Sequence, residues 1–331
     1  MNIIYSCDQN YVRHAAASIE SLLRNNSREK IVIYLINNKI EAHSLSKLIA
    51  LVKKHGQKIK ILNIEDVCAK VKKNDDFPIS GYARLFIQNF IKDKKALYLD
   101  CDTIVLGSIA ELYNINVDKY FVAGVQDNPA KYMVSIIGMD KDDRYINSGV
   151  MLINLNAWRM DNLENKFINF IKKYHGEVPH HDQGIINGVC KEKILIISPR
   201  YNFMSQFYLH TAKQIKQLFN IKKYYTQSEI DNSKNNPIII HYITKFFGKP
   251  WEKGCTHPYL DKYNYYLTES GFYQEPKLPK KDSGLKFRKF IYHFFPFYVY
   301  YCLEKVLDIK RKRKLKRKYS FMGDSNENTN Y

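Results

Sequence analysis

The run Ile31–Ile36 (IVIYLI) constrains the fold of this chain most. Six consecutive apolar residues without alternation describe a strand covered on both faces, which is the condition of a parallel sheet sandwiched between helices. Its neighbours keep the same rhythm. Asn2–Ser6 is a β-prone stretch, and Tyr11–Arg24 places Val12, Ala15, Ala16, Ile19, Leu22 and Leu23 on one helical face. Glu41–Lys54 reads as a helix, Lys58–Ile64 as a strand and Ser80–Ile91 as a helix opened by Ser80. Ala96–Leu99, Phe121–Val125 and Gly149–Leu155 read as strands, and residues 156–173 and Asp182–Cys190 as helices. Ile194–Ile197 and Pro237–His241 close the series as strands. The β-α-β-α order predicts an α/β fold with a mostly parallel sheet and helices on both faces.

In open sheets of this class, ligands bind beyond the carboxyl ends of the strands, and the polar residues that stand out fall there. Asp8 follows the first strand, and Asp100-Cys101-Asp102 follows Leu97-Tyr98-Leu99. Asp127 follows Val122–Val125, Asn147-Ser148 precede Gly149–Leu155, and His241 ends Pro237–His241. Any one acid after a strand is ordinarily a turn or cap residue. The pair Asp100/Asp102 is sharper. Two residues apart in an extended segment, its carboxylates point to one side and repel unless a cation lies between them. Oxygen ligands suit Mg²⁺ or Mn²⁺, and a nitrogen from His241 favours Mn²⁺. Taken alone, His241 reads as a satisfied core histidine rather than a ligand.

These segments resemble a known family. YLDCDTIVLGSIAELY, YINSGVMLINLNAWR, HHDQGIINGVC and HYITKFFGKPW, with the opening IIYSCDQNYV and the segment SGYARLF, are similar in order and spacing to the motifs of the family 8 retaining glycosyltransferases. That family includes bacterial lipopolysaccharide and lipooligosaccharide galactosyl- and glucosyltransferases. The resemblance covers about residues 1–252 and implies a GT-A (Rossmann-like) fold, a UDP-sugar donor, a hexose as transferred group and a cell-surface glycan or lipid-linked acceptor. It implies Asp100, Asp102 and His241 as ligands of Mn²⁺, with Mg²⁺ as the alternative. It places Asp8, Asn10 and Tyr11 at the uridine and Arg84 near the donor sugar and diphosphate. Asn147 and Ser148 match sugar contacts, Asp182 and Gln183 the pair beside the reactive face of the sugar, and Asp127 an acceptor-side carboxylate. Gly184 stands where the family often has Asp, so that position takes no catalytic role. The longer stretch ITKFFG before Pro250-Trp251 leaves two candidates for the diphosphate lysine, Lys245 and Lys249, of which Lys249 is favoured because it directly precedes Pro-Trp. A non-catalytic nucleotide-sugar or glycan-binding protein on the same fold is the alternative reading.

The charge divides the chain into parts. The formal net charge is +19, yet residues 277–318 alone carry 15 Lys/Arg against Asp282, Glu304 and Asp308. Nine of the 15 residues from Phe287 to Tyr301 are Phe or Tyr. Aromatic rings interleaved with bases suit a headgroup region, so residues 285–331 are expected to associate with an anionic membrane surface. A helix packed on the body is the second reading, and nucleic acid is not expected, because no nucleic-acid-binding motif accompanies the bases. Residues 1–255 are expected to be the catalytic domain and 256–284 a loop, linker and acceptor-side segment. No secretory leader and no membrane-spanning run is read, and the six scattered cysteines fit reduced thiols, so the expected location is cytoplasmic and peripheral on the inner face of the cell membrane.

Overall fold

The computed structural model describes residues 1–69, 79–140, 142–243, 246–278 and 282–320. The chain opens as β1 (Asn2–Asp8), α1 (Val12–Asn25), β2 (Val32–Asn38), α2 (Ala42–Lys54) and β3 (Lys58–Asn63). After β4 (Lys95–Leu99) and β5 (Thr103–Val105) come β6 (Val122–Gln126), β7 (Ile146–Asn154), α3 (His181–Cys190), β8 (Ile194–Ile196) and β9 (Phe203–Met204). Then follow α4 (Ala212–Phe219), β10 (Ile239–His241), α5 (Leu260–Glu269), α6 (Ser283–Phe294) and α7 (Phe297–Lys318).

Seven strands form one sheet in the order β3-β2-β1-β4-β7-β6-β8. All run parallel except β7, which pairs antiparallel with both β4 and β6. Alternate side chains feed two cores. Ile3, Tyr5, Leu97, Leu99, Val150 and Leu152 pack under α1, whereas Ile4, Tyr98, Met151 and Ile153 pack on the opposite face with Phe86, Trp158 and Phe167. All nine residues of β7 are buried. Burying a branched or aromatic side chain contributes about 1.5–3 kcal/mol, so this doubly covered centre outweighs the weaker propensity of any single segment.

A small second sheet, β5-β10-β9, lies against the first. The chain passes from β4 in the large sheet to β5 in the small one through Asp100–Asp102. That corner is pinned from both sides: Asp100 N–H donates to the Gly149 carbonyl (2.7 Å), and Tyr242 N–H donates to the Asp102 carbonyl (2.9 Å). Asp100 and Asp102 therefore converge through a turn between two sheets, not through strand alternation as expected.

Three other expectations need correction. Ser80–Ile91 is not one α-helix: a short turn at Ile79–Tyr82 runs into a 3₁₀ stretch over Ala83–Asn89, five of whose residues are buried. Burial on several sides leaves no single amphipathic face, and the tighter winding follows the space available. The strand at Gly149 starts earlier, so Asn147 and Ser148 lie inside β7. Within 256–284, read as loop and linker, α5 buries Tyr263, Tyr266 and Leu267 against α1.

The basic aromatic segment 285–318 folds as α6 and α7, packed on the body at one face. Tyr300 is fully buried with Leu209, Leu218 and Phe246. Lys305 Nζ donates to the Leu218 carbonyl (3.0 Å), and Tyr319 Oη donates to the Glu177 carbonyl (2.8 Å). The other face leaves Phe287, Phe290, Phe294, Phe295 and Tyr298 exposed. Among the described residues, no helix is long and apolar enough to cross a membrane.

Candidate active site

The residues singled out at the strand ends meet in one closed circuit of polar contacts. Arg84 Nη1 lies 3.1 Å from Asp100 Oδ1 and 3.2 Å from Asp182 Oδ2, and it donates to the Ser148 carbonyl at 3.2 Å. Ser148 Oγ donates to Asp182 Oδ2 (3.0 Å), and Ser148 N–H donates to Gln183 Oε1 (3.1 Å). Gln183 Oε1 also accepts from Asn147 Nδ2 (3.0 Å), and both amides donate to Asp127 Oδ2 at 3.1 Å. Asn147 Oδ1 accepts from Asn202 Nδ2 (2.9 Å), and Asn202 Oδ1 meets His241 Nδ1 (2.9 Å). His241 Nε2 returns the circuit to Asp102 Oδ1 (3.1 Å) and Asp100 Oδ2 (3.8 Å).

Local folding explains how each group arrives. Asp100 and Asp102 occupy the pinned corner, His241 ends β10 beside Thr103 of β5, and Asp182-Gln183 open α3. Asp127 directly follows β6, while Arg84 comes from the buried 3₁₀ stretch with its guanidinium 4.1 Å above the Tyr98 ring. Lys249 reaches in from the loop after β10: its ammonium donates to Asp102 Oδ2 and to the Tyr242 carbonyl, both at 2.7 Å. Lys245, the other lysine considered for that position, lies outside the described residues.

Asp8, Asn10 and Tyr11 sit at the edge of this circuit. Asp8 Oδ1 accepts from Tyr11 N–H (3.0 Å), which shapes the turn from β1 into α1. Asn10 and Tyr11 are exposed in that turn, and the Tyr11 ring stands edge-on to Trp251, 6.0 Å between centroids. Trp251 in turn lies under the Lys249 ammonium (5.1 Å), so the turn and the lysine loop form one wall.

Among the described residues, the charges of the site are not balanced by its own cations. Asp100, Asp102, Asp127 and Asp182 face two fixed positive charges there, Arg84 and Lys249. Burial opposes ionisation of Asp102, but His241 and Lys249 outweigh it and hold that carboxyl well below the usual range. For Asp182, burial wins with help from Asp100, and its pKa is raised despite Arg84 and Ser148. Burial works against the Arg84 charge, yet Asp100 and Asp182 raise its pKa above the ordinary value.

The donor set fits a divalent cation. One ligand atom from each of Asp100, Asp102 and His241 can be chosen so that all lie within 4.8 Å of one another. Two carboxylates and an imidazole suit Mn²⁺ or Mg²⁺. Gly149 keeps the cradle open: a Cβ there would come 2.2 Å from His241 Cε1 and 2.7 Å from Asp100 Oδ2. Contacts under 3.0 Å are not tolerated without movement, so the glycine belongs to the site.

Three participants lay beyond sequence reasoning. Asn202, fully buried, joins His241 to Asn147. Tyr98 donates to Asp100 Oδ1 (3.0 Å) and underlies Arg84. The Gly149 requirement follows from the close approach of β7 and β10 side chains. The absence of Asp at position 184 also acquires a reason: a Cβ at Gly184 would lie 1.9 Å from the Pro179 carbonyl oxygen.

A model of glycosyl transferase family 8 matches residues 2–255. A protein of Haemophilus influenzae named putative glycosyltransferase is 32% identical over 268 residues, spanning 78% of this chain and 74% of the relative. The lipopolysaccharide 1,2-glucosyltransferase of Escherichia coli is 28% identical, spanning 78% and 76%. The crystal structure of galactosyltransferase LgtC in complex with donor and acceptor sugar analogs superposes with a TM-score of 0.64 at 22% identity, spanning 85% of this chain and 98% of the other. That likeness gives the fold: an α/β domain with a mostly parallel central sheet.

Proposed function

The chain belongs to glycosyl transferase family 8, and from that premise we propose that it transfers a hexose, galactose or glucose, from a UDP-sugar to a cell-surface glycan or lipid-linked acceptor of the lipopolysaccharide type, with retention of anomeric configuration. The observation that carries this reading is the Asp100/Asp102/His241 cluster beside Lys249 and Arg84, where among the described residues four carboxylates face two fixed cations. The relatives named for lipopolysaccharide transfer support the choice of acceptor.

Asp100, Asp102 and His241 would hold Mn²⁺, or Mg²⁺ in its place. Bound there, the ion would neutralise the donor diphosphate and its leaving charge. The remaining work falls to the chain. Asp8 and Asn10 meet the uridine, and Tyr11 offers an exposed ring for the uracil to stack on. Lys249 places an ammonium against the charge that develops on the leaving UDP, which stabilises the transition state more than the ground state. Arg84 fixes Asp100 and Asp182 and lies beside the donor sugar and diphosphate. Asn147 and Ser148 orient the sugar, and Asp127 holds the acceptor side.

Gln183 is an amide and a poor nucleophile, and its carbonyl oxygen already accepts from Asn147 and Ser148. Asp182 is engaged by Arg84 and Ser148. Neither is poised to attack the anomeric carbon, which favours front-face attack by the acceptor hydroxyl while the leaving phosphate takes its proton. In this reading Gln183 aims a dipole at the oxocarbenium-like carbon.

The exposed rings of α6 and α7 and the bases of α7 serve peripheral attachment at the inner face of the cell membrane. The test of the transfer reading is a reaction with UDP-galactose and UDP-glucose in the presence of Mn²⁺, with the product read by proton NMR. A product with the anomeric configuration of the donor is expected; an inverted product would sink the mechanism.

A further inference from the structure

Between α7 and the segment 130–136 lies a cleft of about 700 Å³, a volume that suits a small ligand. Its floor is apolar: Ile136 from the body, Leu218 and Phe219 from α4, and the buried Tyr300 from α7. Its rim at the far end of α7 is basic, with Arg311, Lys312 and Lys316. The two acids that line it are already engaged. Glu304 pairs with Arg288 (2.6 Å) and with Arg311 (3.7 Å), and Asp308 accepts from Tyr132 Oη (3.2 Å), a contact that ties α7 to the body. Among the described residues no carboxylate pairs with Lys312 or Lys316. The cleft therefore combines an apolar floor with the positive charge of Lys312 and Lys316.

Its position links it to the chemistry. Ala130 lines the cleft and is only three residues from Asp127, so their Cα atoms are at most about 11 Å apart. The same C-terminal end of α7 is tied to the segment leading into the site, because Tyr319 donates to the Glu177 carbonyl five residues before Asp182.

We propose that this cleft is an acceptor subsite for a phosphate-bearing lipid, the floor taking the first part of an acyl or prenyl chain and Lys312 and Lys316, beside Arg311, taking the phosphate. This rests on the transferase reading above and deepens it: the acceptor is recognised beyond its reacting sugar, by an anionic group joined to an apolar chain. Loose attraction of α7 to a surface uses all its bases alike, whereas the cleft uses only those that line it. Lys310 and Lys314 are exposed on the same helix outside the cleft and provide a control of equal charge.

The experiment is calorimetric binding of monomeric dodecyl phosphate to the full chain, without donor or metal, beside dodecyl maltoside and inorganic phosphate. One dodecyl phosphate per chain is expected, bound more tightly than either control. The double variant Lys312→Glu/Lys316→Glu should weaken binding by about tenfold or more, because each base near an anionic group contributes on the order of 1 kcal/mol. Lys310→Glu/Lys314→Glu should bind within about twofold of the unaltered chain. Unfolding midpoints show that both variants are folded, and Ile136→Glu provides an independent lesion on the floor with the same expected loss. Equal weakening by the two double variants, binding of dodecyl maltoside as tight as that of dodecyl phosphate, or self-association through this face in sedimentation would each overturn the proposal. A chain that binds dodecyl phosphate as expected but transfers no hexose would overturn the transferase reading and leave the subsite standing.

Discussion

Asn202 holds His241 by its inner nitrogen: Asn202 Oδ1 lies 2.9 Å from His241 Nδ1, while its amide nitrogen donates to Asn147 Oδ1 at 2.9 Å. With the amide oxygen accepting, Nδ1 carries the proton, and Nε2 is the ring atom that faces Asp100 and Asp102. One buried amide thus orients a metal-site histidine and, through Asn147, the amide of Gln183. Partners of this kind typically tune metal affinity by about 10–100-fold. Asn202→Ala should lower Mn²⁺ affinity by that order in a titration followed by electron paramagnetic resonance, and raise the donor KM with it. Unchanged Mn²⁺ affinity in a folded Asn202→Ala protein would show that the contact is only structural.

Gly184 tests why this chain departs from its family at that position. A side chain there meets the Pro179 carbonyl oxygen at 1.9 Å, a backbone atom that cannot rotate away. Gly184→Asp, which restores the residue often found in the family, should destabilise the fold by about 1–3 kcal/mol, the usual cost of overpacking at a rigid contact. Chemical denaturation gives the number; a Gly184→Asp protein as stable as the unaltered chain would refute the packing explanation.

Glu20 provides a stability test with a defined pH sign. Its carboxylate is buried in α1 and accepts from Arg24 Nη2 (2.8 Å) and from His55 (2.7 Å), and Arg24 continues to Glu269 of α5. Burial works against its charge, but hydrogen bonds from His55 and Arg24 outweigh burial and hold its pKa below the ordinary value. A depressed carboxyl contributes stability that is present above its unfolded pKa and lost as pH falls through the folded one. Glu20→Gln should cost about 2 kcal/mol at neutral pH, less than a fully buried pair because Arg24 is partly solvated. The difference in melting temperature should close as pH falls below about 4. A gap that stays constant down to pH 3 would exclude this linkage.

The exposed rings of α6 and α7 test attachment to membranes separately from the fold. Phe290 is 50% exposed, Phe294 74% and Tyr298 71%, so replacing them with Ser removes little packing. The triple variant should cosediment with anionic phospholipid vesicles at least about fivefold less well, while its unfolding midpoint stays within a few degrees. Full vesicle binding by the triple variant would mean that these rings do not meet the bilayer.

Much of this architecture was legible because it is local. The apolar run Ile31–Ile36 and the alternating helices fixed the sheet, and acids placed just after strands pointed to Asp100, Asp102 and Asp127. Asn202 left no such mark, since its role arises only where β7, β9 and β10 meet, 39 residues before His241 in the chain. Gly149 was hidden for the same reason: the space it preserves is bounded by a side chain from another sheet. The helix Leu260–Glu269 did leave a signal, with Tyr263, Tyr266 and Leu267 at three- and four-residue spacing, but the polar aromatic composition between Pro258 and Pro276 read as loop. The 3₁₀ stretch at Ala83–Asn89 reads as an α-helix from sequence because a segment with five of seven residues buried has no single face by which the two are told apart.

The central claim is a metal-dependent transfer from a UDP-hexose at the Asp100/Asp102/His241 cluster. Its most direct test is UDP release by the metal-stripped protein with UDP-galactose and UDP-glucose, before and after Mn²⁺ is returned. At least one donor should give release that appears with Mn²⁺, disappears on chelation and falls by about 10³-fold in Asp102→Ala. Release that is equal with and without Mn²⁺ and unchanged in Asp102→Ala would contradict it.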